Sequence, residues 1–308
     1  MHKRYLDCSF SDLVNITKAD LLDALRSSEG RILVSETIGS VQPMLLNISN
    51  AEFAASQGAD LLLLNMFDVN QPCIHGLPAD IAVHEVLHQL KRLTGRVIGI
   101  NLEAVEPGFK PVSEEFWSIK SGRLANAKNA RKAIELGAQF IVLTGNPGNG
   151  VSNHAITSSL REIKAEVGDE LILIAGKMHA SGILKEAAGK IISESDISEF
   201  AQHGADIILL PAPGTVPGIT LECACRLVSH AHSLGAMTMT AIGTSQEGAD
   251  VETIRQIALW CKMSGTDLHH IGDSGYVGMA LPESILAYSI AIRGKRHTYS
   301  RMARSINR

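Results

Sequence analysis

The chain has 308 residues, 45% hydrophobic and 19% charged, with a formal net charge of −4. That composition supplies a large core and excludes disorder, and the near-neutral charge leaves no basic footprint for nucleic acid or an anionic membrane. No run approaches the ~18 apolar residues of a membrane span, and the five cysteines form no CxxC pair, so a cytoplasmic protein with reduced thiols is expected.

The N-terminal Met-His-Lys-Arg-Tyr-Leu-Asp-Cys-Ser-Phe carries early positive charge without a subsequent apolar run, and so does not read as a signal peptide. Thr17 to Ser28 predicts a helix with Thr17 as N-cap, placed to plug the base of the domain. From there on the chain is periodic. Gly30, Gly58, Gly95, Gly137, Gly168, Gly204, Gly235 and Gly265 each close a helical pattern and precede an extended apolar run. The runs are Arg31 to Glu36, Asp60 to Asn65, Arg96 to Glu103, Gln139 to Thr144, Leu171 to Lys177, Asp206 to Pro211, Met237 to Gly243 and Asp267 to Gly272. Most are continuously apolar, as strands covered on both faces must be. Strand and helix alternate eight times, which predicts parallel strands with right-handed crossovers closing into a (β/α)8 TIM barrel. The expected organisation is one domain: an N-terminal helical segment (1–30), the barrel (31–280), and a C-terminal helix with a basic tail (281–308), the tail read as solvated.

Several motifs along the chain invite other readings. His84-Glu85-Val86-Leu87-His88 matches HExxH, but the apolar stripe through Val83, Val86, Leu87 and Leu90 turns both histidines to the outer face of a barrel helix, away from any strand end. Gly145 to Gly150 is glycine-rich after a strand, yet is neither GxGxxG nor a P-loop, and reads as a loop over a ligand. Gly272-Asp273-Ser274-Gly275 mimics a serine-protease segment without the fold that chemistry needs.

In such a barrel the chemistry sits at the C-terminal ends of the strands, so polar residues ending apolar runs should converge. These are Glu36, Asn65 and Asp68, Asn101 and Glu103, Thr144 and Asn146, Lys177 and His179, and His270 and Asp273. Burying so many ionisable groups around one mouth is costly unless a ligand or ion compensates. Lys177 is a candidate Schiff-base nucleophile or a salt-bridged orienting group; Glu36 and Glu103 are candidate acid/base groups or metal ligands; His179 is a candidate proton carrier. Asn65, Asn101 and Thr144 are substrate contacts in this reading. The loops after the last two strands, Gly243-Thr244-Ser245 and Gly272-Asp273-Ser274-Gly275, offer small residues and hydroxyls to a phosphate.

Through Ser35-Glu36-Thr37, Asn101-Leu102-Glu103, Gly272-Asp273-Ser274-Gly275-Tyr276 and Arg293-Gly294-Lys295-Arg296-His297, the whole chain resembles a group of bacterial TIM-barrel proteins known as phosphoenolpyruvate phosphonomutase-like or haloacid-dehalogenase-like. Asp273 to Tyr276 echoes the Asp-Ser/Thr-Gly-Tyr stretch of the phosphonomutases, and the resemblance implies a metal or substrate contact at Asp273. Together these readings predict a lyase, aldolase or isomerase that acts on a small phosphorylated sugar or keto acid by imine or enolate chemistry. The enzymatic alternative is a Mg2+-dependent phosphoenolpyruvate mutase or lyase with Asp273 and Glu103 as candidate metal ligands. The non-enzymatic alternative is a sugar-phosphate-binding or assembly protein. Self-association into a homo-oligomer is also expected.

Overall fold

The structure, a computed structural model, describes residues 3–109, 119–145, 147–178, 191–243 and 245–308. Eight strands, β1 (Ile32–Ile38), β2 (Leu61–Asn65), β3 (Val97–Leu102), β4 (Phe140–Leu143), β5 (Ile172–Gly176), β6 (Ile207–Pro211), β7 (Met237–Ile242) and β8 (Leu268–Ile271), pair in sequence order, all parallel. β8 returns to β1 through Ile32↔Leu268 to Ser35↔Ile271, which closes the barrel. The expected TIM barrel is therefore the fold. β1 runs two residues past its predicted end because the loop after β8 folds back: Ile38 N–H donates to the Gly278 carbonyl at 2.9 Å.

Before the barrel lie α1 (Phe10–Leu13) and α2 (Lys18–Arg26); Thr17 caps α2 by accepting from Asp20 N–H. The outer ring is α3 (Asn50–Ser56), α4 (Val86–Thr94), α5 (Ala127–Leu136), α6 (Asn153–Val167), α7 (Glu194–Gln202), α8 (Leu221–Ser233), α9 (Val251–Ser264) and α10 (Pro282–Ala303). Seven of the eight helix-closing glycines take a left-handed φ; Gly168, at −63°, does not, because its helix unwinds through a further turn before β5. None of the described helices is long and apolar enough to cross a membrane.

Two apolar shells arise from the strand pleat. Leu62, Ile98, Ile141 and Leu173 pack outward against the helices, while Ile32, Val34, Leu63, Val142, Ile174 and Leu209 fill the interior. The interior is too narrow for a side chain at every position. A Cβ on Gly99 would stand 2.4 Å from the Phe140 ring, so that glycine gives Phe140 the room it fills. Leu13, Leu21 and Leu25 continue the inner shell downward, so α2 and its flanks form the floor, as expected.

Beneath the barrel the C-terminal stretch forms the expected helix, but two of its arginines are not solvated. Arg293 and Arg301 are buried and both reach the fully buried Asp60: Arg293 Nη1 donates to Asp60 Oδ2, and Arg301 Nε lies 2.9 Å from Asp60 Oδ1. Buried Arg96 joins them through the carbonyls of Ala59 and Arg301, and its guanidinium is lowered to about 10 by burial. Carbonyl oxygens of Tyr5, Gly58 and Arg31 satisfy other guanidinium donors, so what reads as a charged tail is an ionic lock between the two ends of the chain. The kink at Gly294, with φ +74°, lets α10 turn under the barrel.

His84 is exposed, as expected, whereas His88 is half-buried against Gly137. Val83 is 59% exposed rather than part of the apolar stripe, because Val83–Glu85 forms a 3-10 turn ahead of α4 and shifts the phase.

Replacing Asp60 strips the counter-charge from the buried arginines. Asp60→Asn should lower unfolding free energy by about 3–5 kcal/mol, read as a fall in urea midpoint at unchanged slope.

Candidate active site at the barrel mouth

The inward positions change character at the C-terminal end of the barrel. Ile32 and Val34 face inward on β1, and period two makes Glu36 the next inward residue. The same step leads from Leu61 and Leu63 to Asn65, from Val97 and Gly99 to Asn101 and Glu103, from Phe140 and Val142 to Thr144, and from Leu268 to His270. Glu36, Asn65, Asn101, Glu103 and Thr144 thereby line one cavity of about 220 Å³, together with Arg123, Met178, Gly243, Glu247, Gly272 and Asp273. Met66, Gly145 and Asn149 complete its wall.

Directed hydrogen bonds cross this wall. Asn101 Nδ2 donates to Asn65 Oδ1 at 3.2 Å, Asn65 Nδ2 donates to Asp273 Oδ2 at 2.8 Å, and Gly275 N–H donates to Asp273 Oδ1 at 2.8 Å. Asn65 Oδ1 also accepts from Met66 N–H at 2.8 Å, which holds Met66 at φ +56°. Ser245 and Ser274 are left-handed too, at +84° and +55°. Three strained residues thus succeed three strand ends, each at a cost of about 1–3 kcal/mol that the surrounding bonds must hold.

Buried carboxyl groups dominate the electrostatics. Asp273 is pushed up to about 7, first by burial, then by Glu36 and Glu247, against the bonds from Asn65 and Gly275 that lower it. Burial also raises Glu247, with Glu36 adding to the effect. Glu103 is raised by burial against the opposing pull of Arg123, whose Nη2 donates to Glu103 Oε1. His270 Nε2 lies 3.2 Å from Glu36 Oε2, both side chains buried, without hydrogen-bond alignment.

Several expected residues occupy other roles. Lys177 is buried at 1% exposure and is not among the described residues lining the cavity. His179, Thr244 and Asn146 lie outside the described residues. Asp68 binds the loop, accepting from Asn70 N–H at 2.8 Å. In the expected phosphate cradle, Gly243 and Gly272 line the cavity, Ser245 is exposed, and Ser274 and Gly275 are half-buried. The cradle is acid-lined, however: Glu247 lies against Gly272, where an added Cβ would stand 3.4 Å from its carboxyl carbon. As for a Mg2+ ion on Asp273 and Glu103, Glu103 is engaged by Arg123, and no three His, Cys, Asp or Glu among the described residues are arranged to hold a metal.

Two residues that sequence reasoning passed over matter most. Glu247 sits on the 3-10 turn Gln246–Gly248, which folds it back under the mouth. Arg123 arrives from the long segment after β3, which pairs alongside the strand's end: Glu103 N–H donates to the Arg123 carbonyl at 2.8 Å. Neither ends an apolar run, so the strand-end signal could not find them.

The family model described as a domain of unknown function, DUF7916, matches residues 6–308. The chain belongs to the DUF7916 family. No characterised protein matches it by sequence. Among solved structures, this DUF7916 protein is similar to an archaeal fructose-1,6-bisphosphate aldolase, with a TM-score of 0.57, 13% identity, and coverage of 90% of this chain and 99% of the aldolase. It is also similar to a putative lyase/mutase from Burkholderia cenocepacia J2315, with a TM-score of 0.52, 14% identity, and coverage of 84% and 83%. A third is an endo-beta-1,4-mannanase from Thermotoga petrophila, with a TM-score of 0.52, 13% identity, and coverage of 88% and 79%. At such identity the shared property is the barrel, on which three chemistries are represented.

The Asp273 shift fixes a pH signature. Its carboxyl ionises near 3.8 in an unfolded chain and at about 7 when folded, so between those values the folded state holds the extra proton. Its contribution to stability is therefore lost as pH rises from about 4 to 7. Asp273→Asn should gain on wild type steadily across that window and hold a constant difference above it, measured by urea denaturation at each pH. A difference that does not change with pH would contradict the shift.

Proposed function

We propose that this protein is an enzyme that moves protons on a small carbonyl-bearing metabolite at the barrel mouth, as a lyase or isomerase. The observation that carries the reading is Asp273: a half-buried carboxyl pushed up to about 7, oriented by Asn65 and Gly275, in the wall of a cavity it shares with Glu36 and Glu247. A group whose pKa lies near the working pH both takes and returns a proton efficiently. Asp273 as carboxylate would remove a proton from carbon or from a hydroxyl, and as the acid would return it. Glu36, held beside His270, tunes that carboxyl by its charge. Asn101 and Asn65 fix the geometry through their hydrogen-bond chain, which supports a preorganised site rather than a loose surface cleft.

Carboxylate acid/base chemistry takes precedence over an imine mechanism in this reading, because Lys177 is not among the described residues that line the cavity. The aldolase and the putative lyase/mutase that share the barrel are compatible with a lyase, but the residues of the mouth carry the assignment.

Two measurements test it. Asp273→Asn should reduce kcat by about 10²–10⁴ and abolish an apparent pKa near 7 in kcat/KM, while wild-type folding is retained by circular dichroism. Borohydride treatment in the presence of substrate should leave the peptide carrying Lys177 unmodified. Normal turnover by Asp273→Asn, or a reduced adduct on Lys177, overturns the proposal.

A further inference from the structure

The cavity wall has an unusual balance of unmet hydrogen-bonding capacity. Glu36 Oε1, Glu103 Oε2, Glu247 Oε2 and Asn101 Oδ1 are buried oxygens with no hydrogen-bond partner among the described residues. Their residues are at most 7% exposed, and all line the same 220 Å³. Thr144 Oγ1, on the same wall and 1% exposed, is likewise without a partner. Buried polar atoms are almost always satisfied, so a set of orphans gathered on residues that line one cavity points to a ligand that belongs there.

The inventory of functional groups narrows the choice. The orphan oxygens of Glu36, Glu103, Glu247 and Asn101 accept hydrogen bonds when the carboxyls are ionised, whereas the Thr144 hydroxyl both donates and accepts. A phosphate-ester dianion or a carboxylate brings only acceptors: it would satisfy none of the carboxylate oxygens and would add like charge beside them. An ammonium brings only donors and gives the hydroxyl of Thr144 nothing to donate to. A hydroxyl group does both. Arg123, the cation among the described residues of this wall, has Nη2 donating to Glu103. The volume is below the roughly 300–1,000 Å³ of drug-sized sites, which suits a small metabolite.

We infer that the substrate is a neutral, unphosphorylated polyhydroxy compound of sugar size, whose hydroxyls donate to Glu36, Glu247 and Asn101 and accept from Thr144. This rests on the acid/base reading of the same mouth, to which it adds the substrate class. It also explains why Glu247 occupies the space against Gly272 where a phosphate cradle would need to be open. A polyol displaces water from the carboxylates and replaces it with hydroxyl donors, leaving Asp273 beside a carbon that bears oxygen.

The test is a binding panel on the full chain at pH 7.5: ribose, xylose, fructose, glucose, xylitol and sorbitol, set against ribose 5-phosphate, fructose 6-phosphate, glucose 6-phosphate and inorganic phosphate. Thermal shift and calorimetry are the readouts. At least one free polyol should raise the melting temperature in a saturable way, and its phosphate ester should bind at least tenfold more weakly. Glu247→Gln, which puts an amide donor where the ligand's hydroxyl must donate, should weaken that polyol at least fivefold. Thr144→Val, which keeps the shape and removes the hydroxyl, should weaken it as well, and so covers the case in which the Glu247 variant does not fold. Tighter binding by the phosphate esters or inorganic phosphate, or binding by no free polyol, overturns the inference. Asp273→Asn separates the two readings: polyol binding with lost turnover supports both, polyol binding with normal turnover removes only the acid/base assignment, and tight phosphate-ester binding with lost turnover removes only the substrate class.

Discussion

Four carboxyl groups, those of Glu36, Glu103, Glu247 and Asp273, share one cavity, and each loses hydration there that water would have supplied. The closure of the sheet makes this unavoidable. Once β8 pairs with β1, every inward position on every strand points at the same axis, and period two allows no inward side chain to turn away. The inward positions are apolar in the lower layers and polar in the top one, so the barrel is a packed core below and a polar chamber above. The hydrogen bonds through Asn101, Asn65 and Asp273, the Glu103–Arg123 pair and the strained backbone at Met66, Ser245 and Ser274 are all ways of holding charge in a place that does not favour it.

The two ends of the barrel treat buried charge differently. At the base, Asp60 meets Arg293 and Arg301, and main-chain carbonyls satisfy guanidinium donors around them, so the charge is compensated within the protein. At the mouth, acceptor oxygens of Glu36, Glu103, Glu247 and Asn101 have no hydrogen-bond partners among the described residues. The first arrangement ties the N-terminal segment and α10 to the barrel and is structural. The second stores an unmet requirement that a ligand would satisfy, and is what binding and catalysis need. The division matches the general character of the fold, in which residues at the lower face serve stability and those at the strand C-termini serve chemistry.

Much of this was legible in the residue pattern. The repeat of helix, glycine and apolar run located all eight strands to within about two residues, because a strand buried on both faces must be continuously apolar and the turn before it favours a left-handed residue. Of the polar residues ending those runs, Glu36, Asn65, Asn101, Glu103 and Thr144 line one cavity. Lys177 ends an apolar run in the same way but is not among the described residues that line the chamber, which position along the chain alone does not decide. Arg293 and Arg301 looked like a solvated tail because a sequence shows their charge but not the buried Asp60, more than 200 residues away, that receives it.

By itself, then, the sequence determined the elements, their order and the residues at the strand ends, all of which depend on local periodicity and turn chemistry. Only the tertiary structure decided which of those residues meet. Glu247 becomes part of the chamber because a 3-10 turn folds it against Gly272, and Arg123 because a long loop pairs beside the end of β3. Asp273 acquires its raised pKa only when burial and the charges of Glu36 and Glu247 reach it together. Such contacts join segments distant in the chain, and the energy that shifts a carboxyl depends on distance and desolvation, neither of which is defined until the barrel closes.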